Sequence, residues 1–371
     1  MKRVLITATV QSHIALFHTN MAAMLQENGY EVHAAANNDL KDKNGLSLKY
    51  IYQLFEVRFS RFPFSFQNVV AYKHIKRIIS ENKYDVIHCN SPTAGVLTRL
   101  AARKLRKKGT KVIYTAHGFH FFKGAPLINW LLYYPIERRM ARYTDVLITI
   151  NKEDYERAKK FKAKQVEYVP GVGIDVEKYA NHKIDKEAVR KSLGIPDSST
   201  VLLSVGELNK NKNHQAIIRA LAMLNDKNVH YMIAGNGNIE KELRTLAANL
   251  NIAGQVHLLG FRTDIADLYK AAHIFCFPSL REGLPVALME AMAAGLPVIC
   301  SRIRGNVDLF DDGKGCCLCG ANNEVEFTNA IKALLSNLGS TQSMSKHNRD
   351  KIQNFCIEAA TEKVKEIYSV V

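Results

Sequence analysis

The 371-residue chain is 47% apolar and 23% charged, the balance of a globular protein, and it is long enough for two hydrophobic cores. It has no run of about 18 uncharged apolar residues, which argues against a membrane-spanning helix. Its net charge of +16 is lopsided: residues 1–170 hold 28 Lys and Arg against 13 Asp and Glu, whereas residues 171–371 hold 23 against 22. A cationic half attracts anionic surfaces, and nucleic acid and anionic lipid are the usual two.

In chain order the pattern alternates strand and helix. The opening MKRVLITATV is broken by polar QSH with no small-residue cleavage site behind it, so it reads as a first strand rather than a leader. A helix is expected over His13–Gly29 and a strand over Tyr30–Ala36. The short runs DVIHCN, KVIYTAHG and DVLITIN read as further strands with helices between them. Pro170, Gly171 and Gly173 then break the chain within Val166–Asp175. The alternation restarts with strand TVLLSVGEL, a helix near His214–Leu224, strand VHYMIAGNG and a helix near Ile239–Leu250. Strands QVHLLGF and HIFCFPS follow, then a helix from about Pro285 to Ala294 and strand LPVICS. Repeated units of this kind specify parallel sheets with helices on both faces. Two Rossmann-like domains are expected, over 1–170 and 171–350, facing a central cleft, with a C-terminal helix in 351–371 packing back on the first.

Scattered cysteines, with one cluster at Cys316, Cys317 and Cys319, lack the paired spacing of a zinc site and read as reduced thiols, as in the cytosol. Asp311 and Asp312 in FDDGKG read as a turn. No metal centre is expected.

The informative stretch is REGLPVALMEAMAAGLPV, Arg281–Val298, where Glu282 and Glu290 interrupt small apolar residues. An unpaired buried charge costs several kcal/mol, so polar partners are expected for both. Gly283 and Pro285 start the helix near Pro285, which leaves Glu282 in the preceding loop and Glu290 in the helix body. The N–H groups and partial positive charge at that helix start suit a phosphate. A carboxylate at each end suits a ligand with hydroxyls on both sides of its phosphates, as in a nucleotide sugar.

The E-x7-E pattern within PSLREGLPVALMEAMAAGLPVI closely resembles the signature of the family-4 retaining glycosyltransferases, whose fold is GT-B. VGELNKNKNH, AGNGNIEKEL, LLGFRTDIADLYKAAHIFCFPS, VPGVGID and YTAHGFHFF resemble further family segments, and the likeness covers nearly the whole chain. Within the family it looks most like bacterial enzymes of capsule and exopolysaccharide assembly. The resemblance implies that Glu290 holds the ribose hydroxyls and Glu282 the transferred sugar. It gives a phosphate to the N–H groups of Leu284 and Val286, beside Gly283, and the leaving diphosphate to Lys212. One such Lys contact is worth about 4 kcal/mol at 4 Å and an effective dielectric of 20, before desolvation, and it counts most in the transition state. His117 is implied to face the donor sugar from the first domain, and Phe261 and Arg262 to lie beside the nucleobase. The chain departs from the family after Gly206, where Glu207 replaces an Arg that grips the diphosphate. That role is not carried over; Lys210, or a Glu207 turned to orient Lys212, would compensate. A second departure is the loop Thr9–His13, where the family has a Gly-Gly pair, so Gln11, Ser12 and His13 are assigned to donor or acceptor. The implied reaction is metal-independent front-face transfer from a UDP-sugar.

The first half adds aromatic stretches to its cations: Phe55–Phe66 and His120–Arg139, with Phe121, Phe122 and Trp130. Aromatics beside basic residues sit on membranes, and Ala102–Lys111, with Lys107 and Lys108, adds about 1 kcal/mol per contacting charge on an anionic leaflet. The expected partners are therefore a nucleotide-sugar donor, a polyprenyl-diphosphate-linked sugar acceptor and the cytosolic face of the membrane. A UDP-sugar epimerase of the same fold is one alternative. A basic nucleic-acid binder is another, though no helix-turn-helix, zinc module or RNP-like motif supports it. A nicotinamide dehydrogenase fits less well, because AGNGN lacks the full G-x-G-x-x-G.

Overall fold

The computed structural model describes residues 1–41, 46–311 and 313–370. Asp312 therefore lies outside the described residues. Two compact units are formed: Met1–Gly173 with the chain from Ile357 on, and Ile174–Cys356.

The first unit holds seven strands: β1 (Lys2–Val10), β2 (Tyr30–Asn37), β3 (Gln53–Glu56), β4 (Val86–Asn90), β5 (Lys111–Ala116), β6 (Val146–Thr149) and β7 (Gln165–Tyr168). They form one parallel sheet in the order β3-β2-β1-β4-β5-β6-β7. Strand β1 is central, with Val4 opposite Val32 on one side and Val86 on the other. Side chains alternate across the sheet, so Leu5 joins the core containing Ile75, Ile87 and Val112, while Val4 and Ile6 join the core of the opposite face. The helix Ile357–Ser369 completes that second core with Ile367 and Tyr368. The Tyr368 hydroxyl also lies 2.8 Å from Nδ1 of buried His88 on β4.

The second unit holds β8 (Thr200–Val205), β9 (Val229–Ala234), β10 (Val256–Gly260), β11 (Ile274–Phe277), β12 (Val298–Ser301) and β13 (Cys316–Cys319), parallel in the order β10-β9-β8-β11-β12-β13. In each unit the strand order reverses once, beside β1 and β4 in the first and beside β8 and β11 in the second. Sheets of this kind bind ligands beyond the carboxyl ends of the strands at such a reversal.

Three points differ from the sequence reading. The helix expected over His13–Gly29 is two helices, Gln11–Phe17 and Thr19–Glu27, because His18 leaves the helical conformation at φ −127°, ψ 6°. Val166–Tyr168, read as part of a linker, belong to β7, and the first unit ends at Gly173 rather than at 170. The cysteine cluster lies on edge strand β13, and all seven thiols are unbridged, in keeping with the reading of unpaired thiols. Strand β3 was not anticipated, because its four residues QLFE form a largely exposed edge with no apolar alternation to read.

Candidate functional site

In the second unit the site is built from the loops that follow β8, β11 and β12. After β8 the chain passes Gly206 and Glu207 into Leu208–Asn213. Gly235 and Gly237 let the chain after β9 run directly against this segment: a Cβ on Gly235 would stand 1.9 Å from the Gly206 carbonyl oxygen, and one on Gly237 would stand 2.0 Å from that of Leu208. The asparagines then act as ties. Asn209 Oδ1 accepts from the Lys212 N–H at 3.0 Å, and Asn211 Nδ2 donates to the Arg281 carbonyl at 3.0 Å. Asn213 Nδ2 donates to the Ala321 carbonyl at 2.9 Å, and the Leu280 N–H donates to the Asn211 carbonyl at 2.8 Å. The polar run NKNKN thus stitches the β8 loop to the β11 loop.

This stitching brings Lys212 Nζ to 2.8 Å from Glu282 Oε1, with both side chains mostly covered. The ammonium also stands 4.8 Å from the Phe277 ring centroid. At an effective dielectric of 20 the pair attracts by about 6 kcal/mol before desolvation, and covering both charges offsets much of that. A phosphate arriving here competes for an ammonium that is already aimed. Among the described residues the Glu207 carboxylate does not pair with the Lys212 ammonium: it is exposed and accepts at 3.0 Å from Nδ2 of Asn209, the residue whose Oδ1 holds the Lys212 N–H. Lys210 is exposed as well.

The helix Val286–Ala293 starts after Pro285, as its sequence requires. Among the described residues no hydrogen bond uses the N–H groups of Leu284 or Val286, which lie at the start of that helix. The β12 loop braces the turn. A Cβ on Gly305, at φ +80°, would stand 2.2 Å from the Gly283 carbonyl oxygen, and Arg304 Nε donates to the Glu282 carbonyl at 3.2 Å. Buried Arg304 is a cation beside the site that the sequence reading did not name. Glu290 finds its polar partners in two phenols: Tyr179 donates to Oε1 at 2.6 Å, and the Tyr269 hydroxyl lies 3.0 Å from Oε2 and 2.9 Å from the Ala287 carbonyl. Burial pushes the Glu290 carboxyl above its ordinary range, while the phenol hydrogen bonds pull it back. The phenols were not legible either, since Tyr179 and Tyr269 lie 111 and 21 residues away. At β10, Phe261 is exposed, and Arg262 forms a two-pronged ion pair with Asp264.

In the first unit the reversal carries histidines. Gln11, Ser12 and His13 are the first turn of a helix, not a loop, and Ser12 is fixed by Asp39, which accepts from its N–H at 2.9 Å and its hydroxyl at 2.6 Å. His117 follows β5, with Nε2 3.3 Å from Asn90 Oδ1 at the end of β4. Burial lowers all the neighbouring imidazoles. His13 falls to about 4 and His88 to about 3, and His18 and His117 lie well below the usual value, with the nearby rings adding to the effect. One group among the described residues has side chains placed to share a metal ion, His13, His18 and His117, with one ligand atom from each within 4.8 Å of the others.

The expected membrane surface needs correction. Phe121 is fully buried and stacks on Phe119 at 4.8 Å, because the first unit's core needs its ring. Phe122 is half-buried, and so is Trp130, whose ring lies 4.5 Å from the Arg157 guanidinium. Lys107 and Lys108 are exposed. The exposed apolar side chains are others: Phe62, Phe64 and Phe66, and Leu127, Ile128 and Leu131 on the helix Leu127–Met140. A cavity of about 720 Å³ beside Trp130 and Leu131 is rimmed by Arg138, Arg139 and Arg142.

Comparison with known proteins bears on this arrangement. Residues 17–178 match the model of Glycosyltransferase Family 4, and residues 185–351 match that of Glycosyl transferases group 1. A putative glycosyltransferase of Bacillus subtilis strain 168, EpsD, is 37% identical over 99% of this chain and 96% of its own. The chain belongs to glycosyltransferase family 4. It is also 32% identical, over 81% of each chain, to an Escherichia coli enzyme named UDP-Gal:alpha-D-GlcNAc-diphosphoundecaprenol alpha-1,3-galactosyltransferase. Anabaena HepE, solved in complex with UDP and glucose, superposes over all of both chains with a TM-score of 0.83 at 19% identity, which establishes the GT-B fold. Membership in this family answers the nucleic-acid alternative in favour of glycosyl transfer.

Proposed function

We propose that this glycosyltransferase moves a hexose or N-acetylhexosamine from a UDP-sugar to a polyprenyl-diphosphate-linked glycan during surface-polysaccharide synthesis, with retention at the anomeric carbon. The observation that carries the reading is the Lys212–Glu282 ion pair beside the uncommitted N–H groups of Leu284 and Val286. In this reading the diphosphate takes the ammonium and the helix start, and Glu282 turns to the sugar hydroxyls. Glu290, steadied by Tyr179 and Tyr269, takes the ribose. Stabilising charge on the departing diphosphate speeds transfer because that charge develops in the transition state. His117 is the catalytic candidate of the first unit. The donor and acceptor in the name of the E. coli relative support the UDP-sugar and the lipid diphosphate.

The chemistry needs no metal in this reading, since Lys212 and the helix start supply the positive charge, so EDTA does not lower the rate. A panel of UDP-sugars tested for UDP release, with and without lipid-linked acceptors, decides the matter; acceptor-dependent release from none of them ends the proposal.

The acceptor's lipid directs the enzyme to the inner face of the membrane. Among the described residues no helix is long and apolar enough to cross it. The exposed Phe62, Phe64 and Phe66, with the first unit's cations, support peripheral binding. Replacing the three by Ser is expected to weaken sedimentation with anionic vesicles at least tenfold, given about 1.5–3 kcal/mol for each fully buried ring. Undiminished sedimentation would remove this surface from the account.

A further inference from the structure

We propose that His13, His18 and His117 form a binding site for a divalent transition metal, with zinc the best-fitting ion. The three side chains come from separate places: His13 from the helix that follows β1, His18 from the break after that helix, and His117 from the end of β5. Their ring centroids lie 4.6 Å (His13–His117), 5.4 Å (His13–His18) and 5.4 Å (His18–His117) apart. In a tetrahedral zinc site with Zn–N bonds of about 2.0–2.1 Å, ligand nitrogens stand about 3.3 Å apart. One ligand atom from each ring already lies within 4.8 Å of the others, so small ring rotations close the set.

Nε2 of His13 and Nε2 of His18 are both buried without a hydrogen-bond partner. A buried polar atom left this way costs about 1–3 kcal/mol, and a bound cation removes that cost. His88 shows the contrast. It stands 6.2 Å from the His18 ring, but Tyr368 and Thr115 occupy both its nitrogens, each at 2.8 Å. It is a structural histidine, and the other three are candidates for ligands. Imidazole is a ligand suited to zinc, copper and nickel, and three histidines leave a fourth position for water or a substrate oxygen. A cavity of about 260 Å³ lined by Thr9, His13, Arg61, Ser91, His120 and Tyr133 gives access from the His13 side.

One consequence rests on the proposed role of His117: a metal that takes this ring withdraws it from glycosyl transfer, so zinc-loaded enzyme is slower.

The test uses the full chain stripped of metal and titrated with zinc against a chromogenic chelator, and separately with cobalt. The expected result is one zinc per chain, a raised melting temperature, and the intense visible bands of four-coordinate cobalt. His13→Ala and His18→Ala are each expected to weaken zinc binding by at least about 100-fold, at or beyond the 10–100-fold that changes outside the ligand shell produce; His88→Gln keeps it. Absence of stoichiometric zinc binding to the folded wild type, or binding that survives both ligand substitutions, overturns the site. Should the variants fail to fold, the wild-type stoichiometry and cobalt spectrum still decide. Transfer assayed with zinc separates the two readings: slowed transfer supports both, and stoichiometric binding with undiminished transfer keeps the site but removes His117 from the reaction.

Discussion

The two sheet reversals share a topology and differ in chemistry. Beyond β8 and β11 the second unit sets a mostly covered ion pair, Lys212 with Glu282, beside a helix start. Beyond β1, β4 and β5 the first unit sets against each other imidazoles that burial holds neutral. The fold fixes where a ligand can bind, and the side chains fix which one. A paired ammonium that can change partners suits a diphosphate; neutral rings suit hydroxyls, protons or a metal.

The sharpest way to break this contrast is to remove the charges of the second unit. Lys212→Ala and Glu282→Ala are each expected to slow UDP release about 10²–10³-fold, the usual cost of losing one group aimed at transition-state charge. Near-normal rates in either would overturn that residue's role.

Acid probes the other side. His13 and His88, held at about 4 and about 3, have an ordinary value near 6.5 when unfolded. Between pH 6.5 and about 4 the unfolded chain therefore binds more protons, so stability rises with pH there and falls on acidification, by a few kcal/mol in all. Trp130, the chain's single tryptophan, belongs to the first unit and reports its unfolding alone. Its fluorescence midpoint is expected to fall steeply from pH 6.5 to 4, and less steeply in His88→Gln. A flat profile would show that these rings are not held neutral.

Glu290→Gln, at the ribose end, is expected to weaken UDP binding about tenfold, or about 1.4 kcal/mol by calorimetry. Tyr269→Phe should have a smaller effect in the same direction. Unchanged affinity in both would free Glu290 for a purely structural role. The smallest effect is expected for Glu207→Arg. Glu207 is exposed and Lys212 is already oriented by Glu282, so UDP affinity should change by no more than about threefold. A larger gain would mean that position 207 faces the phosphates after all.

Much of this was legible in the sequence where local physics decides. Strand and helix periods gave the two parallel sheets, and Pro285 marked the start of the helix between the two glutamates. What escaped was long-range pairing. Tyr179 and Arg304 reach Glu290 and the Glu282 carbonyl across loops whose meeting no local pattern encodes. The ties made by NKNKN were not legible, because Asn211 and Asn213 bind backbone carbonyls 70 and 108 residues away. Phe121 looked like a membrane anchor because composition does not say which aromatic rings fill a core and which remain outside. His18 was passed over because its significance lies in neighbours from another strand.

The most direct test is a crystal structure of the protein with UDP. The expected density places diphosphate oxygens within hydrogen-bonding distance of Lys212 Nζ and the N–H groups of Leu284 and Val286, with the ribose against Glu290. Nucleotide lodged elsewhere, away from residues 282–290, would contradict the account.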